Sequence, residues 1–401
     1  MTQVGPLDGI RVIDFGHTVM GPCAALILAD LGADVIRVEP AGKGDPTRRL
    51  KGFGTGYFPF FNRNKRSLSV DLKSPEGLKV VKDLLSTADV LIENFGPGTI
   101  DRLGLGYDAL KDDCPRLIYL SLKGFLPGLY EKRTALDEVV QMMSGLAYMT
   151  GPPGQPLRAG SSVIDIMGGM FGVIAVLAAL RERDSTGKGQ LVRSSLFESA
   201  VFLMGQHLAY ASYSDRPVPP MPARVSAWAI YDQFHTLDDE TVFLGVTSDR
   251  QWPAFCRAFD RDDLLENESL KTNGERIDAA DWLKPDLAAM IKDMTLAEVE
   301  RRALEAEVPF AHVARPEDLF DHPHLSSRHG LLPTMLPGGV QSTLPALPLE
   351  MERFQPGLHA NPPLQGADSA AILAELGLSS ESIAHLIKEG IVVTQQERAE
   401  K

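Results

Sequence analysis

The chain has 401 residues, 44% of them hydrophobic and 23% charged, and a formal net charge of −13. This places it among soluble globular proteins with enough length to bury a large core divided between two domains. An acidic surface repels phosphate backbones, which argues against a nucleic-acid binder, so any phosphate-bearing ligand must be met by a local cluster of Lys and Arg.

The opening stretch Met1-Thr-Gln-Val-Gly-Pro-Leu-Asp-Gly9 lacks the basic start and apolar run of a signal peptide. Ile10-Arg-Val-Ile-Asp-Phe15 reads as a strand, Pro22 opens a helix to Leu31 that Gly32 stops, and Asp34-Val-Ile-Arg-Val38 is the next strand. Beyond a loop rich in Gly, Pro and Arg, Arg66 to Leu72 is a third strand and Pro75 begins a helix to Thr87. Val90 to Asn94 and Leu117 to Leu122 complete a strand–helix alternation that implies a doubly wound parallel sheet, covered on both faces. Ligands of such α/β sheets sit where loops leave the carboxyl ends of the strands. The loops there are His17-Thr-Val-Met-Gly-Pro22, Leu72-Lys73 and Asn94-Phe-Gly-Pro-Gly98. None carries GxGxxG or GxxxxGK[ST], so a nicotinamide, flavin or ATP site of the phosphate-cradling type is unsupported.

Asp165 precedes an apolar run, Ile166 to Leu180, with three glycines. At about fifteen residues it is too short to span a bilayer, so no membrane partner is expected. In the N-cap position the carboxylate faces free backbone N–H groups and the positive end of the helix dipole, which hold it ionised, as a carboxylate nucleophile requires. The plainer alternative is that it only caps a buried helix. Cys23, Cys114 and Cys256 lie far apart without metal or redox spacing, so no metal is expected and a reducing cytoplasmic setting is the simplest account. Arg216-Pro-Val-Pro-Pro-Met-Pro222 reads as a linker that ends a first domain, 1–222. A strand pair, Trp228 to His235 and Thr241 to Val246, and helices around Gln251 to Phe259, Ala279 to Lys292 and Leu296 to Glu305 make 223–325 a small α+β domain. The tail, 326–401, carries helices from Asp368 and Ile383 and returns to the first domain.

Several blocks in order, Pro6 to Phe15, Leu31 to Glu39, Asn64-Lys-Arg-Ser67, Glu93 to Gly98 and the Asp165 helix with its Thr186-Gly-Lys-Gly-Gln190 exit, resemble the class III CoA-transferases of the CaiB/BaiF type. The resemblance covers nearly the whole chain. It implies a Rossmann-like CoA-binding domain and a smaller domain in an interlocked homodimer. CoA would pass from an acyl-CoA donor to a free carboxylic acid through an aspartyl-CoA thioester on Asp165, with coenzyme A as substrate and no permanently bound cofactor. It carries CoA contacts onto Thr18, Val19 and Met20, where relatives often have glutamine at Val19; onto Val70, Asp71, Leu72 and Lys73; onto Asn94, Phe95 and Gly96; and onto Arg102, Arg133 and Asp137. Pro40 stands where some relatives have an arginine, leaving Lys43 or Arg48 to supply that charge. Gly168 and Gly169 serve either approach to the acyl group or helix packing, and Asp137 also reads as a cap for a helix from Glu138 to Leu146.

Acyl-CoA racemases of the same superfamily pair His with Asp for proton exchange, but the matching site here is Leu136-Asp137, and leucine carries no proton. A non-catalytic CoA-binding relative is the alternative of another class; it would tolerate loss of Asp165. The glycine-rich loop of formyl-CoA transferases has no counterpart between Pro219 and Tyr231. Arg158 and Arg224 are candidates to bind the second carboxylate of a dicarboxylate such as succinate.

Overall fold

The computed structural model describes residues 4–224 and 226–395, so Met1 to Gln3 of the opening stretch lie outside the described residues. The first strand, β1 (Arg11–Asp14), leads through the His17 loop into helix α1 (Met20–Asp30). The helix begins two residues before Pro22 and ends two before Gly32, whose φ of 101° is readily open only to glycine. Strands β2 (Asp34–Pro40) and β3 (Lys65–Val70) follow, then α2 (Pro75–Leu85), which has Pro75 in its first turn and the Ser74 hydroxyl accepting from the Gly77 N–H. Then come β4 (Val90–Glu93), β5 (Ile118–Lys123), α3 (Asp137–Met143), the 24-residue α4 (Val163–Thr186), β6 (Leu191–Ser195) and two helices, α5 (Leu196–Leu203) and α6 (Gly205–Tyr213).

After Pro222 come β7 (Ile230–His235), β8 (Thr241–Val246), α7 (Gln251–Ala258), α8 (Ala280–Lys292), α9 (Leu296–Glu305) and β9 (Phe310–His312). The chain closes with the hairpin β10 (Leu331–Leu336) and β11 (Val340–Pro345), helices α10 (Ser369–Glu375) and α11 (Ser380–Lys388), and a short β12 (Val392–Val393). Two compact units result, Met1–Pro222 with His324–Lys401, and Ala223–Pro323. The second unit packs an antiparallel β7-β8-β9 sheet against its helices around Phe234, Leu244, Phe255 and Leu287.

In the larger unit seven strands run in the order β12-β3-β2-β1-β4-β5-β6. The six strands from β3 to β6 in this order are parallel, and β12 pairs antiparallel with β3 at one edge. The sheet is therefore mixed rather than wholly parallel, because two residues of the tail add a strand too short to be seen as a hydrophobic run. Side chains alternate between two cores: Val12 and Val35 face α1 and α4, whereas Ile13 and Ile36 face α2, α10 and α11.

Helix α4 extends the apolar run beyond the span read from sequence. Its length and a mean hydropathy of 2.3 over its most apolar stretch would suffice for a membrane crossing, contrary to that reading. Packing gives its composition another cause. A Cβ at Gly169 would lie 2.8 Å from the Met20 carbonyl oxygen, one at Gly172 3.0 Å from Leu122, and one at Gly168 would collide with the Met20 side chain. At Gly169 the obstacle is backbone, so glycine there lets α4 sit directly on α1; at Gly168 it is only the flexible end of Met20.

The Asn64-Lys-Arg-Ser67 block anchors the tail. Asn64 accepts from the backbone N–H groups of His359 and Ala360 and donates to the Gly357 carbonyl and to Asp30, while the Ser67 N–H donates to Asp368. Beside it the fully buried Arg63 and Asp30 form a two-pronged ion pair at 2.6 and 3.2 Å. Deleting one partner strands a buried charge. Asp30→Ala is expected to lower unfolding free energy by about 3–5 kcal/mol, measured by urea denaturation; a loss under about 1 kcal/mol, typical of an exposed pair, would refute it.

Candidate active site

The strand order reverses direction at β1 and β4, whose following connections leave a crevice between them, and two cavities open there. The walls described next all come from the larger unit. One cavity, of about 390 Å³, is lined by His17, Thr18, Val19 and Met20 after β1, Asn94 to Pro97 after β4, Arg133 to Glu138, Arg158, Ser162 and Asp165. The other, of about 710 Å³, runs over Phe15 to His17, Arg37 to Gly42, Val70 to Lys73 and Phe95. Thr18, Val19, Met20, Asn94, Gly96, Arg133 and Asp137 thus share the first cavity with Asp165; Val70, Asp71, Leu72 and Lys73 line the second, and Phe95 borders both. Arg102 lines neither: exposed on the short helix Thr99–Arg102, it donates to the Thr99 hydroxyl.

Asp165 is not the N-cap. Helix α4 starts at Val163 after Ser162, which puts Asp165 in the third position of the first turn. The cap is Asp137: its Oδ2 accepts from the N–H groups of Ile164 and Asp165 at 2.9 and 3.0 Å. Asp137 is itself the first residue of α3, so it caps α4 rather than its own helix. Its Oδ1 accepts from the Gln141 amide, whose oxygen takes the Ala159 N–H and so ties down the segment carrying Arg158. Among the described residues no group hydrogen-bonds the Asp165 carboxyl.

The electrostatic outcome reverses the expectation of a firmly ionised side chain. Burial, and then the nearby Asp137 carboxylate, push the Asp165 pKa up to about 7, with Arg158 pulling the other way. The N–H groups expected to hold it ionised are taken by Asp137. Arg158 lies 3.9 Å from Asp137 and 3.7 Å from Glu138, with donated bonds to the Ala159 and Ser161 carbonyls. Arg224 lies in the second unit.

Under the second cavity is a buried ion cluster. Asp14 accepts from Lys65 at 2.9 Å and from the Gly16 N–H at 2.7 Å, and faces Arg37 at 3.4 Å; Arg37 also bonds Asp45 and the Gly16 carbonyl. Arg48, a candidate for the charge missing at Pro40, is engaged within the protein. It grips Glu39 with two nitrogens, donates to the Pro363 carbonyl and lies over Phe58, while Pro40 lines the cavity and Lys43 stays exposed.

Sequence reasoning missed Tyr57, Lys123 and His17 as wall residues. His17 was legible as the first residue of the β1 loop. Lys123, which bonds Glu93 at 2.6 Å and the Phe95 carbonyl, and Tyr57 carry no local signal, because only the crevice brings them to Asp165.

Comparison with known proteins gives the family. The family model described as CoA-transferase family III matches residues 7–369. The chain is 29% identical over 399 residues to the Homo sapiens succinyl-CoA:glutarate CoA-transferase, covering 98% of this chain and 91% of that protein. It is 32% identical to the succinyl-CoA:mesaconate CoA-transferase of Haloarcula hispanica, covering 94% of this chain and 98% of that one. The crystal structure of a CaiB/BaiF family protein from Brucella suis superposes with a TM-score of 0.83 at 30% identity, over 93% of this chain and 100% of that one. A seven-stranded, mostly parallel sheet with Asp165 in the wall of its switch-point crevice, and a family match along nearly the whole chain, lead to one assignment: the chain belongs to CoA-transferase family III and is an acyl-CoA-dependent transferase.

Proposed function

We propose that the enzyme exchanges CoA between a dicarboxylic acyl-CoA, of which succinyl-CoA is the type, and a second carboxylic acid, with Asp165 as covalent carrier. The Asp165 carboxylate attacks the donor thioester carbonyl and the CoA thiolate leaves, giving a mixed anhydride. The thiolate then attacks the aspartyl carbonyl, which releases the donor acid and leaves an aspartyl-CoA thioester. The acceptor carboxylate attacks this thioester and the steps run in reverse, so the thioester bond is conserved and no water enters. A carboxylate suits the task because its anhydride and thioester lie close in energy to those of the substrates. The single observation that carries this reading is a carboxyl group without a hydrogen-bond partner among the described residues, set in a cavity wall beside a second carboxylate that holds the helix start in place.

The donor class rests on Arg158, a cation in the same wall, and on the succinyl-CoA specificity named for the human and Haloarcula relatives. The nucleotide end of CoA is assigned to the cavity with Leu72 and Lys73, where Lys73 offers the charge for a phosphate. A homodimer is part of the same reading. Met170, Ile174 and Leu177 on α4 and Phe202, Tyr210 and Tyr213 on α5 and α6 are large, exposed apolar side chains of the kind a second copy covers.

Asp165→Ala is expected to cut exchange by about a thousandfold or more. Hydroxylamine should trap a hydroxamate at Asp165 in the wild type only; trapping elsewhere, or an active variant, sinks the carrier role. Because the group is nucleophilic only when ionised, and ionises at about 7, the donor half-reaction should rise with pH and level off above that value. A rate flat from about pH 5.5 to 8 would contradict it. Arg158→Ala should slow succinyl-CoA by about 10- to 100-fold while leaving a monocarboxylic donor such as propionyl-CoA nearly unchanged; an equal effect on both would remove Arg158 as the specificity group. Light scattering should give twice the chain mass, and a monomer that retains full activity would exclude the dimer.

A further inference from the structure

The loop after β1 carries a side chain that the reaction above does not use. His17 lies in the wall shared by the two cavities, and its ring stacks on Phe95 at 5.7 Å and 26° between planes. The loop is held there from both ends: Asn94 Oδ1 accepts from the His17 N–H at 2.7 Å and Asn94 Nδ2 donates to the His17 carbonyl at 2.9 Å. The next residue, Thr18, has φ of 63°, a left-handed conformation that a β-branched residue rarely adopts and that concentrates at functional sites. His17 Nδ1 is buried and without a hydrogen-bond partner among the described residues, in an interior where such groups are nearly always paired.

Arg37, Asp45 and Lys123 are the charged groups that act on the ring. Burial, then Arg37, lower the imidazole pKa, with Asp45 and the Asn94 amide opposing, so the ring is neutral and offers one donor and one acceptor nitrogen. Such a group suits an uncharged polar ligand. A phosphate or carboxylate would call for a cation.

Resting on the placement of acyl-CoA proposed above, we propose that His17 is a binding residue for the amide-bearing pantetheine arm of the substrate, the segment that joins nucleotide to thioester. With the nucleotide beside Leu72 and Lys73 and the thioester at Asp165, the arm must cross the boundary between the cavities, where His17 and Phe95 stand. Each of its two amides presents an N–H and a carbonyl, and either satisfies a neutral ring nitrogen. The Phe95 ring offers the methylene groups an apolar surface. Since the arm is common to donor, enzyme-bound intermediate and product, the contact acts on binding rather than on the bond-making steps.

Calorimetric titration of CoA and of 3′,5′-ADP, which lacks the arm, tests this on the full-length protein. His17→Ala and His17→Phe should each bind CoA about tenfold more weakly and 3′,5′-ADP as the wild type does. His17→Asn, which restores a neutral donor and acceptor, should recover part of the loss, and steady-state kinetics should show KM rising with kcat kept. Unchanged CoA binding in His17→Ala, wild-type CoA binding in His17→Phe, or equal weakening of both ligands would overturn the proposal while leaving the transferase chemistry standing. A wild-type protein that binds neither CoA nor 3′,5′-ADP would overturn the placement of acyl-CoA and the proposal together.

Discussion

The crevice at the carboxyl ends of β1 and β4 is the constraint on which the site depends. These strands are neighbours, and the connections that follow them lead to opposite sides of the strand order, so the two loops part above the sheet. Asn94 bridges the gap by clamping the His17 backbone from both ends. That bridge holds the β1 loop in its left-handed turn at Thr18 and sets the boundary between the cavities. The mostly parallel sheet below, buried on both faces, gives the loops a rigid base.

Charge is handled in contrasting ways on the two sides of this boundary. Beneath the second cavity, buried carboxylates and cations pair off: Asp14 with Lys65 and Arg37, Arg37 with Asp45, Glu39 with Arg48. Even there burial dominates for Lys65, whose pKa is lowered despite Asp14. In the first cavity Asp137 is committed to backbone N–H groups and Gln141, whereas among the described residues the Asp165 carboxyl has no such bonds and sits next to a like charge. Two carboxyl groups one helix start apart thus take different parts. One holds the helix start in place, and the other is left without a hydrogen-bond partner among the described residues.

The close seating of α4 on α1 links this chemistry to the core. Glycine at 169 lets the backbones of α4 and α1 approach, with Met20 packed beside Gly168 and Leu120 and Leu122 beside Gly172. The same helix therefore carries Asp165 at one end and much of the domain packing along its length. The tail is tied in by a different device, the buried Asp30–Arg63 pair and the Asn64 side chain, which joins β3 to the residues around 357–360.

The strands from Arg11, Asp34, Lys65, Val90 and Ile118 and the helix from Pro75 were legible because each is a local pattern: a short β-branched run, or a proline behind a capping serine. Ordered blocks such as Asn64-Lys-Arg-Ser67 likewise pointed to the family through residue identity alone. What sequence misjudged was long-range. The cap of α4 comes from Asp137, 28 positions before Asp165, and the two-residue β12 exists only because β3 offers it an edge. By itself the sequence determined the first five strands and the helices from Pro75 and around Gln251, Ala279 and Leu296, since periodicity and capping act within a few residues. Only the tertiary structure decided that Asp165 is raised toward neutrality, that Arg48 is spent on Glu39 and that His17 stands between two cavities, because burial and through-space charge depend on neighbours brought together by the fold.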